Sequence, residues 1–558
     1  MGISTVRKRM GGRRLAAGLV ALVLGAAVLA ACDGGGSGSG SSSKPVDVSE
    51  LPNKMEPASG PVDSVTWNIS PQPTSLGVPG FSENNYAPQS IMCDHLVALD
   101  GDWNFVPHLA TELRWETPTR LVMPIQEGVT YWDGTPLTAD DVVWNLNHVM
   151  DPAVAPTNQA NVANVESVTK TGDNEVTVEF TQHDSTYVAT VLATNFGAIH
   201  KPSVVQEKGD AYGTAAGGIM CSGPFEYESW QTGESMTMTA NPDYWNDDYQ
   251  PLIQKLTIRF VSDPNALASA LLSGEIDGAY NLPLSITSRL EGASNGTLQR
   301  GKSVLFDVLI PVDQSGPLAD VRLRKALSLA IDREAVAKVG YAGYGHPNVQ
   351  AVSSPSSFTY GGDVFKQQVT DKLDYLLEPD LEQAKGLVDD AGAPSRPLTL
   401  VYTAGDPVHE KAASVIQQSA AQAGIDIELA PKDPTELLGL LTTPDARAGV
   451  DLWLRMGVQN APDPLVAIVS GYVGKGVLTF GHENSAAFDL ISQARAEPDD
   501  DARAELTAQA LFQMTDEDAF PIPLVYRDNT LFLNERLGGA WLNNPYWEGP
   551  WAAVIGAK

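Results

Sequence analysis

Apolar positions along this chain follow two periods, and the order of those periods outlines a fold. Toward the front the period is two. Val65 to Ile69 (VTWNI) reads as a strand that runs into the Pro-rich loop SPQPTSLGVPG. Asn174 to Phe180 (NEVTVEF) sets Val176, Val178 and Phe180 on one face, and the turn TGDN before it predicts a hairpin with VESVTK. MTMTAN and KLTIRFV add further alternating strands. From Asp320 onward the period becomes helical. In DVRLRKALSLAIDREAV, Leu323, Leu327, Ala330 and Ile331 form a stripe, with Asp320 placed to cap one helix and Asp332 the next. LEQAKGLVDDAG predicts a short helix stopped by Gly392. The strand LTLVYTAG, a helix through HEKAASVIQQSAAQAG and the strand IDIEL then make a crossover unit. The tail PIPLVYRDNTLFLNERLGG returns to strand character. The whole pattern predicts an α/β molecule that is strand-rich at the front, with no internal repeat.

The first residues change that picture by adding a compartment. Arg7, Lys8, Arg9, Arg13 and Arg14 precede an apolar run from Leu15 to Leu29 that ends in Ala30-Ala31-Cys32. A basic stretch, a short apolar run and small residues before a cut make a secretory signal, and the run is shorter than the ~20 residues of a membrane span. Leu-Ala-Ala-Cys resembles the bacterial lipobox, which implies cleavage before Cys32, a lipid on its thiol and acylation of its amine. DGGGSGSGSSS, which follows, is a flexible tether. The expectation is a signal over 1–31, a lipidated Cys32 and tether over 32–60, and a globule anchored outside the membrane. The formal charge of −32 disfavours nucleic acid, while 43% apolar residues with 11 Trp and 16 Tyr support a packed globule. Besides Cys32, only Cys93 and Cys221 remain. In an oxidising compartment that pair is expected to be bridged, with two inert buried thiols as the alternative.

Chemical motifs are scarce. The sequence has no HExxH, no GxGxxG and no CxxC. The stretch YWDGTPLTADDVVWNL (Tyr131 to Leu146) clusters Asp133, Asp140 and Asp141 beside Trp132 and Trp144, yet fails the calcium-loop pattern. Read residue by residue, Asp133-Gly134 suits a tight turn, and Thr138 with Asp141 three residues on makes a capping box. Each acid then has a structural task. A carboxylate-based extracytoplasmic glycosidase using Asp133 and Asp141 stands as the alternative from another class.

LATELRW followed by EGVTYWDGTPLTADDVVWNL resembles the signature of the family-5 solute-binding proteins of ABC importers, the dipeptide-, oligopeptide- and nickel-binding type. CSGPFEYESWQTGESMTMTANPDYWN, ALLSGEIDGAY, DVRLRKALSLAIDREAV, LEQAKGLVDDAG, the NAPDP of Asn460 to Pro464 and FPIPLVYRDN follow in family order. The resemblance implies a hinged two-lobe α/β fold of the periplasmic-binding-protein type (class II, cluster C), with mixed sheets flanked by helices and an extra N-terminal subdomain. Lobe I would span 61–304 with the strand-rich subdomain, lobe II 305–521, and 522–558 would return to lobe I. The crossings are expected near Leu305 to Val312 and near Phe520 to Leu524. Pro124 within LVMPIQ departs from the family's uninterrupted strand and predicts an edge or bulge.

The implied function is capture of a solute, foremost a peptide, in the cleft between lobes, and delivery to the permease and ATPase subunits of an importer. A monomer without cofactor or metal is expected. In dipeptide-binding relatives an Asp three residues before the Asp-Pro of this loop holds the peptide amine. Counting back from Asp463 gives Asn460, which removes that charge and disfavours a simple dipeptide. Trp453, Gln459, Asn460 and Asp463 are the cleft candidates from lobe II, and Asn84, Asn85 and Tyr86 those from lobe I. Oligosaccharide, metal chelate and haem are the alternative ligands, and a sensor that presents its ligand to a signalling partner is a third role. No His cluster favours nickel.

Overall fold

The computed structural model describes residues 48–77, 83–155, 158–459, 461–472, 476, 478–543 and 548–558. The expected signal, Cys32 and the expected tether up to residue 47 lie outside the described residues. Residues 48–60, also expected as tether, are instead docked on the globule: Leu51 is buried, Met55 N–H donates to Ala540 O, and Lys54 and Gly60 bridge to Trp541 and Ala557. No helix among those described is long and apolar enough to cross a membrane.

The chain opens with strand β1 (Val62–Asn68) and leaves it for a small sheet of β2 (Arg114–Thr117), β3 (Arg120–Pro124), β4 (Val165–Gly172) and β5 (Glu175–Phe180). It returns with β6 (Phe225–Gln231), β7 (Ser235–Ala240), β8 (Ile253–Arg259), β9 (Gly278–Tyr280) and β10 (Gly296–Gly301). It then crosses to β11 (Leu305–Pro311), β12 (Gly345–Pro347), β13 (Leu398–Thr403), β14 (Ile427–Lys432), β15 (Leu452–Val458) and β16 (Ile522–Arg527), and returns once more with β17 (Asn529–Asn534). Lobe I is a seven-stranded sheet in the order β10-β17-β9-β1-β8-β7-β6, and lobe II a six-stranded sheet in the order β12-β16-β11-β15-β13-β14. The small sheet, β2-β3-β5-β4, packs on the helix Ala139–Met150 around its own core of Leu121, Val142, Leu146, Val176 and Val178.

The alternation in NEVTVEF produces what it predicts: β5 pairs antiparallel with β4, and Val176 and Val178 are fully buried. The helical stripe after Asp320 resolves into two helices, Val321–Ala330 and Arg333–Gly340, with Asp320 and Asp332 as their caps. β13, the helix Pro407–Gln422 and β14 form the predicted parallel crossover. Pro124 ends β3, which lies inside the small sheet between β2 and β5; it marks a strand terminus, not an edge strand or a bulge. At that position its missing N–H costs no ladder bond within the strand.

One expected boundary is corrected. β16 belongs wholly to lobe II, pairing Leu309 with Ile522 and Phe306 with Tyr526, so the return to lobe I occurs at Asp528 rather than at Phe520 to Leu524. The reason is tertiary: fully buried Asp307 on β11 pairs with Arg527 at the end of β16, which holds that strand to its last residue. The first crossing spans Lys302 to Val304, immediately before the expected range. Both crossings lie side by side, because β10 pairs with β17 (Gly301 with Asn529) and β11 with β16. Two short adjacent links between two sheets make a hinge. Asp528 at that hinge accepts from Arg300 Nε at 2.6 Å and lies 2.7 Å from His346 Nε2, so a lobe I strand and a lobe II strand share one carboxylate.

Candidate ligand-binding cleft

In open α/β sheets, ligands are met beyond the carboxyl ends of parallel strands. In lobe II the parallel set is β13, β14 and β15, and β15 runs out into the loop Gln459 to Asp463. Gln459 is fully buried and braces that loop. Its N–H donates to Val304 O in the first crossing (3.2 Å), its Oε1 accepts from Ser353 N–H (2.5 Å), and its Nε2 donates to Asp463 O (3.2 Å). Asp463 caps the helix Pro464–Gly471, accepting from Leu465 N–H at 2.8 Å and from Tyr360 Oη at 2.9 Å. Burial pushes its carboxyl above the usual range, against the pull of the nearby Arg503 guanidinium. Both residues shape the loop from within. Asn460 lies outside the described residues.

Trp453 is corrected. It sits at the amino end of β15, opposite Ile310 and Val401, in the lobe II core against Phe480. A strand advances ~3.3 Å per residue, which sets it well away from the carboxyl end at Val458. In lobe I, Asn85 is buried and accepts from Thr74 N–H at 2.8 Å, pinning the loop after β1 to the helix Glu83–Gln89. Tyr86 is buried in the core of the seven-stranded sheet. Asn84 lies in the same helix, and its side chain is outside the described residues. Asn85, Gln459 and Asp463 therefore use their hydrogen bonds to shape loops, and Tyr86 and Trp453 pack in the cores.

The residues that close the cleft carried no signal in sequence. Asp184 follows β5, and Arg495 lies on the helix Ser485–Ala496 of lobe II, 311 positions away. Arg495 Nε donates to Asp184 Oδ1 (2.9 Å) and its Nη2 to Oδ2 (2.6 Å), while the same Nη2 reaches Ala160 O (2.9 Å). Ser185 N–H donates to Arg495 O at 2.9 Å and Ser185 Oγ to Ala494 O at 3.2 Å. The Asp184 side chain is fully buried, and Thr186 and Asn164 supply further donors. Beside this clasp, Ala189 of lobe I packs against Ala461 and Val466 of lobe II. A cavity of about 520 Å³ adjoins the seam, lined by Phe105, Trp115 and His183 on one side and Pro498 and Arg503 on the other. The two lobes thus touch at the hinge and again at the far seam.

A second polar cluster lies inside lobe I. Asp94 accepts from Ser222 Oγ (2.8 Å), Tyr244 Oη (2.7 Å) and Trp245 Nε1 (3.0 Å), with His108 Nε2 at 3.0 Å. Burial works against its charge, yet these partners, His108 foremost, hold its pKa below the usual carboxylate value. Next to it, His95 Nδ1 lies 2.9 Å from Glu548 O, and burial lowers the His95 pKa to about 4. Glu548 is itself buried, which drives its carboxyl well above the ordinary range. Cys93 and Cys221 are joined (S–S 2.01 Å) beside His200, whose pKa burial lowers to about 3. The Cys93, His200 and Cys221 group has metal-ligand proximity, but the bonded sulfurs leave no thiolate for an ion.

The acids of YWDGTPLTADDVVWNL have the structural tasks read from the sequence. Thr138 and Asp141 form a reciprocal capping box on the helix Ala139–Met150. Asp133 accepts from Thr135 N–H (3.1 Å) and Oγ1 (2.6 Å) and pairs with Lys201, and Asp140 pairs with Lys170.

Comparison with known proteins agrees with this architecture. The oligopeptide-binding protein OppA of Bacillus subtilis is 24% identical over 539 residues, covering 92% of this chain and 94% of its own. Among solved structures, the ABC transporter substrate-binding protein CtaP of Listeria monocytogenes superimposes with a TM-score of 0.76 at 22% identity, over 89% of this chain and 99% of that one. The oligopeptide-binding protein AppA of Bacillus subtilis, in complex with a nonapeptide, gives 0.72 at 19% identity, over 90% and 100%. These relatives are binding proteins, so the glycosidase alternative at Asp133 and Asp141 falls. The model of the bacterial extracellular solute-binding proteins, family 5, matches residues 104–476, more than half of the chain, and the protein therefore belongs to that family of ABC-importer binding proteins.

Proposed function

We propose that this protein captures an oligopeptide between its two lobes and hands it to the membrane subunits of an importer, while a lipid on Cys32 keeps it at the outer face of the membrane. One observation carries the reading. The lobes meet at a hinge of two adjacent links and again at the Asp184–Arg495 clasp, with the braced loop Gln459 to Asp463 between them. A ligand that touches both lobes only when they are closed selects the closed form, and that form is what a transporter can recognise. The peptide named with the AppA relative supports an oligopeptide over a dipeptide, as does Asn460 in place of the amine-holding Asp. The transport energy comes from the partner ATPase.

Mass spectrometry of small molecules released from the purified protein tests the ligand class. Peptides of several residues are expected; a sugar, a haem or a metal chelate as the sole released species overturns the peptide reading. Intact mass of the mature protein tests the anchor, with a diacylglyceryl group on an N-terminal Cys32 expected and an unmodified residue there refuting it.

A further inference from the structure

Three buried side chains of lobe I carry polar atoms with few or no hydrogen-bond partners among the described residues, and they are neighbours. They are the Glu548 carboxyl, met by no side chain and only by the Asn195 backbone amide, Nε2 of His95 and Nδ2 of Asn195, in residues exposed by only 2%, 3% and 3%. Glu548 O meets His95 Nδ1 at 2.9 Å, and the Asn195 backbone amide faces the Glu548 carboxyl. A buried polar group without a partner is unfavourable, more so when charged, so three together call for an occupant.

Their chemistry specifies what that occupant offers. A carbonyl beside His95 Nδ1 requires the proton on that nitrogen, which leaves Nε2 of the neutral ring a bare acceptor. Glu548 adds carboxyl oxygens, and Asn195 Nδ2 is a donor. Two acceptor groups want a compact, donor-rich cation, and the donor beside them wants an oxygen close to it. A primary ammonium next to a carbonyl satisfies all three, which is the amino end of a peptide.

The placement fits the cleft. Three residues beyond Glu548, Trp551 packs on Trp67 (5.0 Å) near the carboxyl end of β1 and on Tyr280 (5.7 Å) at that of β9. Trp551 Nε1 donates to Ala87 O in the helix Glu83–Gln89. On the other side, the turn Asn195–Gly197 follows directly on the segment Val188–Leu192, whose Ala189 touches Ala461 of the lobe II loop. Glu548 thus lies between the lobe I frame of the cleft and its seam.

We propose that Glu548, with His95 Nε2 and Asn195 Nδ2, holds the ammonium and first carbonyl of the ligand, supplying from lobe I the negative charge that Asn460 lacks in lobe II. The proposal rests on the peptide reading above. Burial raises the Glu548 pKa, and an ammonium arriving beside it pulls the other way, toward the ionised form.

Two libraries of randomised tetrapeptides, one with free amino termini and one N-acetylated, separate the two readings when offered to the full chain. Retention by the protein is read by mass spectrometry, and folding of each variant by thermal melting. The unaltered protein is expected to retain the free-amine library at least tenfold over the acetylated one. Glu548→Gln, which keeps the shape and removes the charge, is expected to abolish the preference; Glu548→Asp keeps it. Equal retention of both libraries by the unaltered protein, or an undiminished preference in folded E548Q, overturns the role of Glu548 and leaves peptide binding intact. Retention of neither library overturns the peptide reading itself.

Discussion

Replacing Arg495 by Met removes the clasp while keeping much of the apolar stem, and the structure sets the size of the effect. The guanidinium donates through Nε and Nη2 to both oxygens of a fully buried carboxylate, and Nη2 also reaches Ala160 O. Truncating one partner of a buried charge pair costs on the order of 2–5 kcal/mol, mainly because the other charge stays buried. Two features put this pair toward the low end: the Arg495 side chain is 14% exposed, and Asp184 keeps its bonds from Thr186 and Asn164. The closed form should lose about 2–3 kcal/mol relative to an open one, roughly 30–150-fold in the closing equilibrium. Amide exchange reads this without any ligand, because Ser185 N–H bonds to Arg495 O across the seam. Exchange at Ser185 should accelerate by that factor in R495M, with amides of the β11–β15 core unchanged. Where the open form dominates the free protein, the affinity for a bound oligopeptide should fall equally far. In R495M, adding Asp184→Asn should recover part of the loss, since it removes the unpaired charge. Unchanged exchange at Ser185 in a folded R495M, with peptide affinity within twofold, would refute the clasp.

Other consequences follow from the same geometry. Replacing Cys93 and Cys221 by Ser opens a cross-link over 128 positions and should cost about 2–4 kcal/mol, seen as a lower denaturant midpoint; an unchanged midpoint would deny the bridge. His95 and His200 have pKa values lowered by burial to about 4 and about 3, so the unfolded chain binds their protons first. Stability should therefore fall as pH drops below 6.5, by about 1.4 kcal/mol per pH unit for each histidine. Glu548, whose pKa burial raises, opposes that slope, so E548Q should steepen the decline between pH 6.5 and 5 in urea titrations. Asp141→Ala removes half of the capping box and should lower stability by about 0.5–2 kcal/mol. Its ligand affinity should stay within twofold; lost binding with unchanged stability would return that acid to the site.

How much was legible in the sequence divides along the range of the interactions. Periodicity and capping are local, so NEVTVEF, the two helices after Asp320, the Thr138–Asp141 cap and the β13–β14 crossover are read directly from neighbouring residues. Motif order identified the family because those local elements recur in sequence. What only the tertiary structure decided is which polar residue faces which partner. Asp307 meets Arg527 across 220 positions and moves the second crossing to Asp528; Asp184 meets Arg495 across 311 and closes the seam. Gln459 and Asp463 carry the residue types of a binding site, yet their bonds are spent on shaping the loop, and Trp453 belongs to the core. Glu548 and His95 stand 453 positions apart, and no pattern in either neighbourhood marks them as one cluster. Secondary structure repeats along the chain and can be counted there, whereas a buried charge is paired, or left unpaired, only by the packing that brings distant segments together.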